Sequence, residues 1–127
     1  MSAATADLGA TVTALAPFIP CDDFDLCRRF YAEIGFTEAH ADAGLAIFAC
    51  GGFRFILQND RWPDAGQHYM VQLGVTGVDA WWRRLESLDL PSRFGARLRA
   101  PEDQPWGARV LFLHDPTGVL WHISQRL

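Results

Sequence analysis

Apolar side chains recur at helical spacing near the start of the chain. Between residues 21 and 36 they lie three and four positions apart, which predicts an amphipathic helix. Asp22 or Asp23 can cap its first turn, and Gly35 suits the position just past its end. The apolar positions of this helix are Cys27, Phe30, Tyr31 and Ile34.

The same spacing returns in the second half, over residues 76–91. Thr76 and Asp79 resemble a capping box, with aspartate in place of the usual glutamate or glutamine, and Pro91 should end the helix. The apolar positions of this second helix are Val78, Trp81, Trp82, Leu85 and Leu88.

Short apolar runs around the helices predict strands. Residues 45–50 and 53–58 flank a Gly-Gly pair, which indicates a hairpin. Residues 11–20 predict a strand that two prolines restrict to an edge or to an exchanged position, because proline donates no backbone hydrogen bond. Further strands are expected at residues 68–75, 97–100, 108–114 and 119–125, with a turn at 115–118 between the last two.

The two halves repeat one order of elements, and Asp25 and Arg29 of the first helix correspond to Asp79 and Arg83 of the second. The sequence therefore predicts an α+β fold of two βαβββ modules, at about residues 11–60 and 67–126 of a single domain spanning 1–127. Each curved mixed sheet would leave one face to be covered, and a cleft between two such faces is the expected ligand site.

Composition narrows the classes of function. A chain of 127 residues, 50% hydrophobic and 20% charged, can bury a core and is not intrinsically disordered. It has no apolar run long enough to span a membrane, and residues 1–10 resemble a loose tail rather than a signal peptide. A net charge of −4 argues against nucleic acid as a partner. Three cysteines without a CxxC motif predict buried thiols in a reduced, cytoplasmic compartment.

Three stretches of the sequence resemble the vicinal oxygen chelate superfamily, and within it the bleomycin-resistance proteins. They are PFIPCDDFDLCRRFYAEIGF, LGVTGVDAWW and EDQPWGARVLFLHDPTGVLWHIS, and the resemblance covers about residues 15–125. The last stretch is the most specific, because it joins a Gln-Pro-Trp-Gly loop to an Asp-Pro-x-Gly turn at the separation found in the family. The resemblance implies a homodimer with an exchanged N-terminal strand and two equivalent clefts.

Enzymes of this superfamily hold a divalent metal with histidine, glutamine or glutamate from four strands. By resemblance those positions are Ala16 or Leu15, Ile56, Met70 and His122. Since one usable ligand does not make a site, we expect no metal and no cofactor. Two alternatives stay open: a metal-dependent enzyme in which His68, His122 and Gln58 converge, and a metal-free enzyme of the same fold. His40 and His114 are expected at the surface or in turns.

The resemblance implies a protein that binds a planar small molecule or a glycopeptide antibiotic without converting it. Trp106, held between Pro105 and Gly107, is the residue expected to stack on the ligand. Trp62, in the polar connector at 59–67, is a candidate second wall. Three further positions match cleft residues of the family, and His122 completes the expected ligand contacts. Those three positions are Leu45, Gln58 and Gln72.

The charge of the ligand stays open at this point. Bleomycin-type drugs are cationic and favour an acidic cleft. Residues 91–109 instead carry four arginines against two carboxylates, so an anionic or neutral ligand fits better if the arginines face the cleft, and they are otherwise a solvated surface. The arginines are Arg93, Arg97, Arg99 and Arg109.

Overall fold

The computed structural model describes residues 7–64 and 68–127. Residues 1–6 of the predicted tail and 65–67 of the predicted connector lie outside this description. After a 3-10 turn at Leu8–Thr11, the first half contains β1 (Phe18–Pro20), α1 (Phe24–Ile34), β2 (Thr37–Ala41), β3 (Leu45–Cys50) and β4 (Phe53–Gln58). The second half contains β5 (Met70–Gly74), α2 (Val78–Glu86), α3 (Leu90–Phe94), β6 (Arg97–Gln104), β7 (Ala108–His114) and β8 (Leu120–Arg126).

Two four-stranded mixed sheets carry the fold, in the orders β1-β4-β3-β2 and β5-β8-β7-β6. In each sheet the first strand pairs in parallel with the last, and the remaining pairs are antiparallel. The two sheets therefore share one topology, and the predicted α+β fold of two βαβββ modules is confirmed.

The first helix forms as the sequence predicts. The Asp23 carboxylate accepts a hydrogen bond of 3.1 Å from the Leu26 amide, which satisfies one of the free donors of the first turn. Gly35 follows the last turn with φ of 124°, in a region that side chains disfavour. All four residues of the predicted stripe are buried.

The start of the chain differs from the prediction. Of the strand expected at residues 11–20, only Phe18–Pro20 pairs in the sheet, and residues 12–17 have no regular structure. Pro17 has no amide hydrogen, and its carbonyl accepts the Ile56 amide instead. The proline therefore marks the end of the ladder.

The second helix begins differently from the prediction and ends earlier. No side chain of the expected capping box caps it: Gly77 is the N-cap, and the side chain of Gln125 accepts the Val78 amide at 2.9 Å. Asp79 pairs with Arg109 on β7 at 3.1 Å instead. Pro91 does not end this helix, because it lies in the first turn of α3, where its missing amide hydrogen costs nothing.

One strand is longer than the sequence predicts, and another was not predicted. β6 continues through Gln104 with a bulge between Arg99 and Glu102, so the expected loop is reduced to residues 105–107. β2 was not predicted as a separate strand, because its side chains are mostly exposed and carry little apolar alternation. The 51–52 hairpin, β7 and the 115–118 turn are confirmed.

One hydrophobic core joins the two modules. Phe55 of β4 and Trp121 of β8 are 5.4 Å apart between ring centroids, and Tyr31 of α1 packs against both. Because each sheet presents one face to this shared core, its other face turns away from it. We call these outer surfaces the first open face (on β1–β4) and the second open face (on β5–β8).

All three cysteines are free thiols. Cys21 and Cys27 are buried as expected, whereas Cys50, at the end of β3, is only partly buried. No helix in the described ranges is long and apolar enough to cross a membrane.

Candidate functional site

The second open face is built from side chains that lie in register across four strands. Gln72 pairs with His122, His122 with Phe112, and Phe112 with Arg99. Because paired residues point to the same side of a sheet, these four side chains form one row across the surface. The neighbouring row consists of Met70, Leu120, His114 and Arg97.

The first open face repeats this arrangement with more apolar residues. Leu45 pairs with Gln58, and Ile47 with Ile56. All four side chains are partly buried, whereas the alternating residues Ala46 and Phe48 are fully buried in the core. The strand alternation therefore separates the core side of this sheet from its open side.

Two polar atoms on these faces are buried and have no hydrogen-bond partner among the described residues: Gln58 Oε1 on the first face and His122 Nε2 on the second. A buried polar atom that makes no hydrogen bond is costly, and ligand-binding sites are a recurrent place for such atoms. Both residues were predicted from the sequence as ligand contacts.

The two histidines of the second open face are held neutral by their surroundings. Burial lowers the pKa of His122, whose ring meets the Phe112 ring edge-to-face at 4.9 Å. Burial first, and then the neighbouring charge of Arg97, lower the pKa of His114. His114, expected at the surface or in a turn, is instead a partly buried residue of β7. Both rings can donate one hydrogen bond and accept another at neutral pH.

The predicted stacking tryptophan lies at the tip of the β6–β7 hairpin. Trp106 occupies the turn between these strands and is 64% exposed, so it does not cover the core. Gly107 after it has φ of 92°, which fixes the direction of the turn. Trp62 lies elsewhere, 38% exposed, with its ring 5.9 Å from that of Tyr69. Tyr69 in turn donates a hydrogen bond to the Phe18 carbonyl, which places Trp62 beside β1.

The structure therefore groups the predicted site residues in pairs. Leu45 and Gln58 are neighbours on one open face, and Gln72 and His122 on the other. Trp106 lies at the tip of a hairpin of the second sheet, whereas Trp62 lies in the segment between β4 and β5, outside the strands of both sheets.

The four arginines of residues 91–109 divide into two groups. Arg97 and Arg99 lie on the second open face, opposite His114 and Phe112. Arg93 turns away, with its guanidinium 2.9 Å from the Glu33 carboxylate. Arg109 also turns away, to Asp79 and Asp103.

A hollow of about 270 Å³ lies on the second open face. Its lining residues are Arg97, Leu98, Arg99, Phe112, His114 and Leu120. Sequence reasoning missed Phe112 and His114 as members of this surface. Their alternation with the core residues Leu111 and Leu113 was the signal that could have found them.

Comparison with known proteins identifies the family. Residues 9–123 match the model of the Glyoxalase/Bleomycin resistance protein/Dioxygenase superfamily. The chain belongs to this superfamily. A search of curated proteins found no significant match.

Several solved structures of known proteins share the fold. A bleomycin-binding protein in complex with bleomycin is 26% identical with a TM-score of 0.77, over 91% of this chain and 100% of that one. A bleomycin resistance determinant encoded on transposon Tn5 is 25% identical with a TM-score of 0.77, over 91% and 98%. A lactoylglutathione lyase from Agrobacterium tumefaciens is 19% identical with a TM-score of 0.69, over 90% and 94%. Because the fold is common to binding proteins and an enzyme, the site has to decide the function.

The resemblance assigns four positions of this chain to the superfamily's metal ligands. The residues at these positions do not suit a divalent metal ion. Ile56 lies on the first open face with a side chain that has no donor atom, and Met70, paired with Leu120 on the second open face, offers only a weak thioether. Ala16 likewise has no donor. Within residues 7–64 and 68–127, no group of three or more His, Cys, Asp or Glu side chains is placed to hold a metal ion.

The sequence also allows a metal-dependent enzyme with rearranged ligands. Such a site requires Gln58, His68 and His122 to lie close together. Gln58 and His122 lie on the two different open faces, and each face turns away from the core that the sheets share. His68 is exposed before β5. One copy of the chain therefore does not assemble this set.

Proposed function

We propose that the protein binds and sequesters a planar small molecule or a glycopeptide antibiotic, as a bleomycin-resistance-like protein, without converting it. The observation that carries this proposal is a pair of buried polar atoms, Gln58 Oε1 and His122 Nε2, that lie on the open faces and find no hydrogen-bond partner within residues 7–64 and 68–127. A ligand lying against both faces would give each atom a hydrogen-bond partner. Trp106 stacks on the flat part of this ligand, while Leu45 and Gln72 complete the walls.

The binding cleft forms between two copies of the chain. The two open faces of one copy turn away from their shared core, so a cleft with both walls needs the first open face of one copy and the second of its partner. A symmetric dimer supplies this pairing twice. The segment before β1 supports strand exchange, because Leu15 is 92% exposed and Pro17 stiffens the connection.

The proposal includes the absence of turnover and a cytoplasmic location. The donor set at the family's metal positions supports binding rather than metal-dependent chemistry. An odd number of cysteines without a CxxC motif supports a reducing compartment.

Titration of tryptophan fluorescence and heat tests the binding proposal. The probes are bleomycin, both metal-free and copper-loaded, and 2-naphthoate as a bare planar aromatic. We expect saturable binding of at least one probe, weakened about tenfold in Trp106→Ala because loss of about 1.4 kcal/mol of stacking is a factor of ten. Trp106→Phe is the matched control and should keep most of the affinity, since it keeps an aromatic face.

Mass spectrometry of the recovered probe separates sequestration from catalysis. We expect the probe to be recovered chemically unchanged after prolonged incubation. Failure of every probe to bind, equal binding by the wild type and Trp106→Ala, or conversion of a bound probe would each contradict the proposed function.

A further inference from the structure

We propose that the second open face binds an oxyanion, such as a carboxylate, carried by the planar ligand and held by Arg97 and Arg99. This inference rests on the binding function proposed above and names the chemical class of its ligand. The inference is argued from the direction in which these two arginines point, which could not be predicted from the sequence.

Arg97 and Arg99 point to the same side of β6, two residues apart, and both line the hollow beside Phe112 and His114. Phe112 lies between Arg99 and His122 in the same row and supplies an apolar surface there. A flat ligand resting on Phe112 would therefore place one end near His122 and the other near the guanidinium groups. Guanidinium groups hold carboxylates in planar, two-point hydrogen bonds.

These arginines are weakly engaged within the protein. Arg97 has no ion-pair partner in the part of the chain that the structure describes. The only partner of Arg99 there is Glu102, at 3.9 Å between exposed side chains. By contrast, the Arg28 guanidinium pairs with Glu38 at 2.7 Å, and Arg93 with Glu33 at 2.9 Å. Arg97 and Arg99 are therefore available to a ligand that enters the hollow they line.

The protein as a whole is acidic, yet its open faces are not. With a net charge of −4, carboxylates outnumber basic residues in the chain. On the second open face the described strands contribute one carboxylate, that of Glu102. On the first open face they contribute Arg54 and no carboxylate, because Glu38 turns to Arg28 on α1. Such a segregated positive surface attracts anions and disfavours cationic ligands.

A set of three probes with the same ring tests the preference for charge. They are 2-naphthoate, the neutral 2-naphthamide and the cationic 2-naphthylmethylammonium ion. We expect naphthoate to bind about tenfold more tightly than naphthamide, the ammonium ion to bind most weakly, and added salt to reduce the preference.

Variants of the protein test whether Arg97 and Arg99 cause the preference for a negatively charged probe. In Arg97→Gln/Arg99→Gln we expect naphthoate to lose about tenfold in affinity, to the level of naphthamide, whose affinity should not change. Both side chains are exposed on an edge strand, so this variant should fold normally. Arg83→Gln, an exposed site on α2, removes the same kind of charge away from the open faces and should leave naphthoate binding unchanged.

The outcomes separate this inference from the function on which it rests. Equal binding of the three probes, tighter binding of the ammonium ion, or an effect of Arg83→Gln as large as that of the double variant would overturn the inference. If Trp106→Ala still weakened these probes, the binding function would stand. If neither the naphthalene probes nor bleomycin bound, both would fall.

Discussion

Tyr31 connects the two modules through buried hydrogen bonds. Its hydroxyl donates to the Asp115 carboxylate at 2.5 Å and accepts from the Trp121 indole at 3.0 Å. The other oxygen of Asp115 accepts three backbone amides of its own turn, at residues 117–119, each at 2.9 Å. Burial raises the pKa of Asp115 to about 6, although these hydrogen bonds favour the carboxylate. A helix of one module and a turn of the other are thus joined by one phenol.

Tyr31→Phe should lower the free energy of unfolding at pH 7 by about 1–3 kcal/mol, because it leaves the Trp121 donor and one Asp115 oxygen buried and unpaired. Urea unfolding of the variant and the wild type measures this loss. Tyr69→Phe is the matched control, because the Tyr69 hydroxyl bonds a carbonyl at an exposed site and should contribute less.

Alkaline titration gives a second test of the same residue. Burial first, and then the Asp115 charge, raise the pKa of Tyr31 well above its usual range, so the phenol stays protonated while the chain is folded. A folded pKa above the unfolded one contributes stability that is present below about pH 10 and is lost at higher pH. Of the two tyrosines in the chain, Tyr31 should therefore ionise only with unfolding.

Absorbance of the tyrosinate ion against pH follows this step. We expect the step that coincides with unfolding to disappear in Tyr31→Phe. Titration of both tyrosines near pH 10 in the folded protein would show that the Tyr31 network is not formed.

Among the elements of the fold, helix α2 depends on a residue of strand β8 to cap its N-terminus. The side chain of Gln125 on β8 accepts the Val78 amide, so the helix is capped by a residue far along the chain. Helix caps drawn from neighbouring sequence can be predicted from spacing, as at Asp23, but this one exists only after the sheet has formed. The Thr76–Asp79 pattern was misleading for that reason.

Gln125→Ala should therefore destabilise the protein by about 1 kcal/mol, the usual value for loss of a helix cap. Thr76→Ala, which removes the cap predicted from the sequence, should change stability much less, since α2 has no N-cap bond from a local side chain. Thermal and urea unfolding of both variants measure the difference. A larger effect at Thr76 than at Gln125 would contradict the structure at this helix.

Elements whose signals are local were predictable from the sequence. α1, the β3–β4 hairpin and β7 follow from apolar spacing, a capping aspartate and a glycine turn. β2 and the second half of β6 were not predictable in this way, because edge strands with exposed side chains carry no apolar period. Their place is set by pairing with a neighbouring strand.

Several residues of the candidate site could be predicted from the sequence, but the surface that they form together could not. Gln58, Gln72 and His122 could be chosen from resemblance, since they match cleft positions of the family. The direction of Arg97 and Arg99 depends on the register of β6 against β7, and a slip of one residue would turn both away. That register, and with it the charge of the site, required the structure.

In the whole molecule, the proposed binding cleft takes its two walls from two copies of the chain. Both sheets turn one face to a common core, which leaves the two open faces of a copy on its outside. A ligand in this proposed cleft contacts the first open face of one copy and the second open face of the other.

Complementation between two variants distinguishes a cleft shared by two copies from a site within one copy. Leu45→Glu adds a negative charge to the first open face and Arg99→Glu to the second, so neither variant alone should bind 2-naphthoate. The two are unfolded in urea, mixed and refolded together, and naphthoate binding is titrated by calorimetry. Mixed dimers then carry one cleft with both substitutions and one with neither, so we predict recovery of wild-type affinity in about a quarter of the clefts. Binding by the mixture no better than by either variant alone would contradict the two-copy cleft.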